Sequence, residues 1–220
     1  MRFIVSTSTL LKQLQAVNGA SSNSTVLPIL DNFLFELKDG TLTISATDLQ
    51  TSMTTSLPVE SKEDGKIAIP SKILMETLKT LPDQPITFSI DDQTFAIEIN
   101  ADNGRYKLSG ENGEDFPKIS VIENASSVHL PASVLSEAIN KTLFAVSNDE
   151  LRPAMTGVYC QLSPQHITFV ATDAHKLARY RRKDTKSESV ASFILPKKAL
   201  VLLKSSLPVE DVNVSIEYNN

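Results

Sequence analysis

The chain has 220 residues, with 21 basic and 26 acidic side chains and a formal charge of −5 at neutral pH. That length accommodates one large or two modest domains at about 100–200 residues each, and 41% hydrophobic with 21% charged residues excludes a disordered chain. The longest apolar run, residues 199–203, is far shorter than the roughly 20 residues of a membrane helix. The first residues lack the apolar core of a signal peptide, and the single Cys160 has no internal partner, so a reducing cytoplasmic location is expected.

Taken in chain order, the apolar spacing predicts a short strand followed by a helix over 8–20, where Leu10, Leu14 and Val17 share one face. Phe33, Phe35 and Leu37 then alternate as a strand, and Leu42 with Ile44 forms the next one. Asp39-Gly40 between them is a hairpin signal. Pro70 marks the entrance of a second helix over 71–80, with Leu74, Leu78 and Leu81 on its inner face. Phe95, Ile97 and Ile99 predict a strand over 94–99, and another follows over 105–109. Gly, Asn, Pro and Ser cluster over 111–127, a domain boundary. Beyond it, Pro131 and Pro196 stand at the entrances of helices over 131–146 and 196–206.

Internal repetition organises these elements. Ala46-Thr47-Asp48 recurs 125 residues later as Ala171-Thr172-Asp173, Asn32 to Leu37 is answered by Gly157 to Leu162, and Ile69-Pro70 by Leu195-Pro196. A weaker echo relates Val5 to Leu11 with Ile69 to Met75, so each domain reads as two βαβββ units. The expected domains are 1–122 and 126–220. The second copy ends shortly after Ile216, the counterpart of Ile90, so its last strands are expected from outside this chain or from a partner.

Charge is unevenly placed. The four predicted helices carry Lys12, Lys72, Lys79, Lys141, Lys197, Lys198 and Lys204 against only Glu76 and Glu137, while the remainder is acidic. On a helical wheel Lys12, Lys72, Lys79 and Lys198 lie opposite the apolar stripes. Lys204 falls near its stripe and must snorkel to reach water. Lysines on a wet helix face are common. If the helices share one side of the sheets, they would also form a moderately basic wall suited to loose, sequence-independent contact with a polyanion rather than base-specific readout.

An enzyme is the rival class. Asp173 and His175, on one face of an alternating strand, could be imagined with a serine, but no Gly-x-Ser-x-Gly elbow exists. His129, His166 and His175 lack metal-ligand spacing, no cofactor fingerprint occurs, and Cys160 aligns with Phe35 and reads as core. Asp91-Asp92 reads as a solvated hairpin tip, and the basic stretch 179–183 as a solvated strand end or a nucleic-acid contact. No metal or cofactor is expected.

Leu10-Leu11-Lys12, Leu27-Pro28-Ile29-Leu30, Asp39-Gly40-Thr41-Leu42, Ala46-Thr47-Asp48, Asp115-Phe116-Pro117 and the run Ala171 to Ala178 occur in an order and spacing that resemble the bacterial sliding clamp family, the β subunit of DNA polymerase III. The resemblance implies an α+β DNA-clamp fold of repeated βαβββ units, with antiparallel sheets outside and helices on one face. Family members have three such domains and close head to tail into a homodimeric ring around double-stranded DNA. The implied function is non-catalytic: encirclement holds the protein on DNA, and tethering makes polymerase rebinding intramolecular. The implied partners are the replicative polymerase, the clamp loader and repair proteins, docking through short hydrophobic peptides. A scaffold that never encircles DNA is the alternative.

Carried over by position, the family's peptide pocket corresponds here to Arg152, Met155, Thr172, Ala174, His175, Lys176 and Leu177. DNA-facing positions are Lys72 and Asn148, joined by the helix lysines Lys12, Lys79, Lys141, Lys197 and Lys198. The ring-closing edge strand contains Arg105, Tyr106 and Leu108, with Tyr106 and Leu108 pointing the same way. The family often has a basic residue where this chain has Ser24, and aromatics where it has Pro153 and Ala154, so DNA contact from those two loops is not expected.

Overall fold

The computed structural model describes residues 1–21, 27–119, 122–208 and 212–219. Its chain divides into two compact units, Met1–Ile119 and Ser120–Asn220. Each has an α+β architecture of antiparallel sheets and helices.

The first unit runs β1 (Arg2–Ser6), α1 (Thr7–Val17), β2 (Asn32–Lys38), β3 (Thr41–Thr47), β4 (Ser52–Pro58), β5 (Glu60–Glu63), β6 (Gly65–Pro70), α2 (Ser71–Lys79), β7 (Pro85–Ile90), β8 (Ala96–Ala101), β9 (Gly104–Ser109) and β10 (Glu111–Asn112). Two five-stranded sheets result, ordered β5-β1-β7-β8-β9 and β10-β6-β2-β3-β4. The two βαβββ copies therefore exchange their first strands. Helix α1 carries the chain from β1 in one sheet to β2 in the other, and α2 carries it back from β6 to β7. The two helices consequently touch one another.

Phenylalanines from both sheets meet in the core. Phe3 of β1 and Phe88 of β7 are direct cross-strand partners whose rings stack at 4.7 Å, and each lies 6.4 Å from the ring of Phe35 in β2. Leu10, Leu14, Val17, Leu74 and Leu78 close this core from the helix side. The hairpin at Asp39-Gly40 forms as its sequence requires: both residues have positive φ (48° and 74°), the two-residue turn that matches the strand twist. Strand β2 is buried on both faces, because Leu34 packs with Ile29, Ala68 and Phe116 in a smaller second cluster. That packing presses the chain at Gly113 so closely on β6 that a Cβ there would stand 2.6 Å from Lys66 Cγ and 2.8 Å from the Ile67 nitrogen.

The second unit repeats the plan: β11 (Ser126–Pro131), α3 (Ala132–Thr142), β12 (Gly157–Leu162), β13 (Ile167–Thr172), β14 (Leu177–Arg182), β15 (Ala191–Pro196), α4 (Lys197–Ser206) and β16 (Asn213–Tyr218). Its sheets are β11-β16 and β14-β13-β12-β15, the counterparts of β1-β7 and β4-β3-β2-β6, and α3 touches α4. Cys160 is fully buried at the place Phe35 holds in the first unit, with Phe169 and Phe193 as its strand neighbours. Burial pushes its thiol pKa up to about 12.

Several boundaries differ from the sequence reading. The first helix ends at Val17, and Asn18–Ala20 tightens into a 3₁₀ turn around Gly19. The third stops at Thr142, whose hydroxyl donates to the Ala138 carbonyl (2.6 Å); Leu143–Ala145 continues as 3₁₀. The strand expected over 94–99 is β8, two residues later. Phe95 stands outside it at φ 54°, because Asp91 Oδ1 accepts from the N–H groups of Gln93 (2.8 Å) and Thr94 (3.0 Å) and holds a tight turn there. Ile97 and Ile99 face the core as the alternation predicts. The polar strand β5, without apolar alternation, carries no sequence signal and forms by pairing with β1.

Candidate functional site

The prolines at the helix entrances are the last residues of the preceding strands and the N-caps of α2, α3 and α4. A proline cap has no side-chain acceptor, so the first-turn N–H groups are left without a side-chain cap. None of the four helices carries an acidic residue in its first turn, where the dipole favours one. Instead Lys72 follows Ser71 at the start of α2, and Lys197 and Lys198 open α4. Placing a cation there forgoes about 0.3–1 kcal/mol per helix of favourable end charge, and creates an end that attracts phosphate.

Lys12, Lys72, Lys79, Lys141 and Lys198 are exposed, and Lys197 is half-buried. Lys197 and Lys141 show what local ties look like. Lys197 Nζ donates to Asn148 Oδ1 at 2.5 Å, and Lys141 lies 3.1 Å from Glu137 and over the ring of Tyr180. Lys204 does snorkel: it is exposed, yet it lines a cleft beside Ile139, Leu143 and Phe144.

That cleft lies within the second unit and has a volume of about 790 Å³. It gathers Asn148, Lys197, Arg152, His175 and Lys176, so DNA-facing and pocket candidates share one groove. Met155, Thr172, Ala174 and Leu177 do not line it. Met155 instead accepts the Ser147 N–H through its carbonyl (2.9 Å), closing the 147–155 loop, and Leu177 stands 67% exposed at the start of β14. Arg152 pairs with Asp149 at 3.5 Å. The cleft walls Phe144 and Lys204 were not singled out as site residues from sequence; the available signal was the anomalous position of Lys204 on its wheel.

The repeated Ala-Thr-Asp tripeptide turns out to be hairpin chemistry. Asp173 and His175 are not on a strand face, as alternation suggested, because β13 ends at Thr172. Thr172 Oγ1 accepts the Ala174 N–H (3.2 Å) and donates to the Lys176 carbonyl (2.7 Å). Asp173 Oδ1 accepts from the His175 and Lys176 N–H groups at 3.0 and 2.9 Å. Ala174 is thereby held at φ 75°. In the first unit Thr47 and Asp48 make the same set, with Leu49 at φ 74°. Lys176 Nζ also pairs with Asp173, and these contacts, that side-chain bond first, hold the Asp173 carboxyl well below the usual range. Its charge is thus engaged in the turn rather than aimed at His175 as in a triad.

The basic stretch 179–183 also splits by face. Arg179 and Arg181 point outward, while Tyr180 and Arg182 turn toward α3. There Tyr180 donates to Glu137 (2.5 Å) and Arg182 pairs with both Glu137 (3.0 Å) and Asp184 (2.6 Å).

Strand β9 is the outer strand of its sheet, leaving one backbone edge unpaired. Tyr106 and Leu108 face the side of Ile99 and Ile97 and are half-buried, and Arg105 on the opposite face lies 3.5 Å from Glu98. Among the described residues no three His, Cys, Asp or Glu side chains gather as a metal site would require, and no helix is long and apolar enough to cross a membrane. Ser24 lies outside the described residues. Pro153 and Ala154 sit in an exposed 3₁₀ turn.

Comparison with known proteins agrees with this architecture. The family model for the N-terminal domain of the DNA polymerase III beta subunit matches residues 1–120, and the model for its central domain matches residues 129–220. A beta sliding clamp of Halalkalibacterium halodurans is 29% identical over 211 residues, covering 91% of this chain and 55% of that protein. The crystal structure of a Bacillus subtilis DNA polymerase sliding clamp superposes with a TM-score of 0.94 at 25% identity, covering the whole chain and 60% of the other. A Pseudomonas aeruginosa sliding clamp bound to griselimycin gives 0.90 at 28% identity, over 98% of this chain and 58% of that one. The chain thus spans somewhat over half the length of these relatives. It belongs to the DNA polymerase III beta subunit family.

Proposed function

We propose that this chain forms part of a processivity factor for a replicative DNA polymerase, a head-to-tail homodimeric ring that encircles double-stranded DNA in the cytoplasm and has no catalytic residues of its own. The observation that carries this reading is the set of helix ends that open on lysine with no first-turn acid, on helices paired α1 with α2 and α3 with α4. A globular fold gains nothing from charges placed against the dipole, whereas a surface passing along a phosphate backbone does. Lys12, Lys72, Lys79, Lys141, Asn148, Lys197 and Lys198 would touch phosphates weakly. Tight phosphate binding would stop sliding, and an acidic body with a mildly basic face avoids it.

Arg152, His175 and Lys176, which line the cleft, and Met155, Thr172, Ala174 and Leu177, which do not, would together contribute to a site for hydrophobic peptides of polymerase, clamp loader and repair proteins, with Met155 and Leu177 as adaptable apolar contacts. Arg105, Tyr106 and Leu108 on the free edge of β9 would close the ring by strand addition. The test is Lys72→Glu with Lys198→Glu, in a chain extended to its relatives' full length. Loading onto DNA and retention should fall while the circular dichroism spectrum stays unchanged. Undiminished loading and retention would remove the basic face from the account.

A further inference from the structure

Three of the seven glycines follow an asparagine, at Asn18-Gly19, Asn103-Gly104 and Asn112-Gly113. Asn-Gly is the step at which a glycine nitrogen, unshielded by any Cβ, can approach the preceding side-chain carbonyl carbon. That approach needs the asparagine backbone to rotate and its carboxamide to be free, and the fold treats the three sites differently.

Asn18 caps α1 in helical geometry, φ −56° and ψ −30°, with its N–H bonded to the Leu14 carbonyl. Its own carbonyl accepts from the Ser21 N–H (3.2 Å) and hydroxyl (2.8 Å), fixing it on both sides. Asn112 is paired with Ile67 in β10, its side-chain oxygen accepts the Glu114 N–H at 3.1 Å, and Gly113 is buried against the backbone of β6. Asn103 is exposed in the two-residue turn between β8 and β9, and among the described residues its carboxamide makes no hydrogen bond. Asn103 itself belongs to no strand; its flanks are held, Gly104 as the register partner of Ala101 at the start of β9 and the Asp102 N–H by donating to Gln84 Oε1 at 2.8 Å.

We propose that Asn103 is a site of spontaneous deamidation selected by the fold. The Gly104 backbone nitrogen, its proton lost to base, bonds to Asn103 Cγ. The Cγ–Nδ2 bond breaks, and Nδ2 leaves as ammonia after gaining a proton from water. Water then opens the resulting five-membered imide at either carbonyl, giving aspartate or isoaspartate. One water enters, one ammonia leaves, and nothing is oxidised or reduced.

The product places a new carboxylate, and in the isoaspartate an extra backbone methylene, in the turn that sets the β8–β9 register. If β9 is the ring-closing edge of the proposed function, aged molecules would close less firmly; the modification itself does not depend on that reading.

The test is peptide mapping by mass spectrometry, with isoaspartyl methyltransferase labelling, of the whole chain held at mildly alkaline pH. Folded protein should deamidate at Asn103 about tenfold faster than at Asn18 or Asn112, a barrier difference of about 1.4 kcal/mol. In urea the three rates should converge. Asn103→Gln should abolish the dominant labelled peptide. Equal rates in the folded chain, a faster reaction at Asn18 or Asn112, or an unchanged preference for Asn103 in urea would each overturn the proposal.

Discussion

Phe88→Ala tests whether each unit carries its own core. Phe88 is fully buried, stacks on Phe3 at 4.7 Å, and lies 6.4 Å from Phe35 across the two sheets of the first unit. Truncating such a ring costs about 3–5 kcal/mol through lost transfer energy and the cavity left behind, and part of that loss is the aromatic pairing itself, about 0.5–1.5 kcal/mol. With a urea sensitivity of about 1–3 kcal/mol per molar, a loss near the middle of that range moves the unfolding midpoint down by about 2 M. The chain contains no tryptophan, but its single cysteine reports on the second unit alone. Circular dichroism should therefore show an early transition for the first unit, while urea-dependent labelling of Cys160 keeps its wild-type midpoint. If Cys160 became reactive in step with the early transition, the two cores would be one cooperative system and the division into units would be wrong.

Other consequences are as direct. Because burial holds the Cys160 thiol at about 12 against an ordinary 9.0, native protein should resist thiol reagents at pH 9; the raised value also means stability declines as pH climbs from 9 toward 12, and a rising or flat urea midpoint there would contradict it. Hydrogen bonds from Tyr180, then Lys141, lower the Glu137 pKa. Its contribution is therefore present above the usual carboxylate pKa and lost as pH falls through the depressed value, so Glu137→Gln should narrow the gap between neutral and acid thermal stability; an unchanged gap refutes the assignment. Gly113→Ala should destabilise the first unit by about 1–3 kcal/mol in urea titration, since the added methyl meets backbone that cannot yield; wild-type stability would mean β10 is loosely seated.

Much of this was legible in the sequence where local chemistry and tertiary demand coincide. Asp39-Gly40 can hardly be anything but a tight hairpin, and the stripe of Leu10, Leu14 and Val17 has one way to be buried. The tripeptide Ala46-Thr47-Asp48 revealed the duplication, yet its meaning was hidden. Two side chains, not strand alternation, write that turn, so alternation extends the strand through Asp173 and His175 although it stops at Thr172. Strand β5 was illegible because its residues are polar and only the neighbouring β1 makes them a strand. The cleft was partly legible: Asn148, Arg152, His175 and Lys176 follow from the family pattern and Lys197 from the helix charges, whereas Phe144 and Lys204 reach it through the seam between the 3₁₀ turn after α3 and α4, a tertiary juxtaposition that spacing does not encode.

The proposed function has enclosure, not adhesion, keep the assembled ring on DNA. It is tested most directly by loading the chain, extended to its relatives' full length, onto nicked circular DNA and measuring its dwell time before and after a single restriction cut. The account predicts long retention on the circle and rapid loss from the cut ends, with little change as salt is raised on the circle. Equal dwell times on circular and linear DNA, or salt-driven release from both alike, would contradict it.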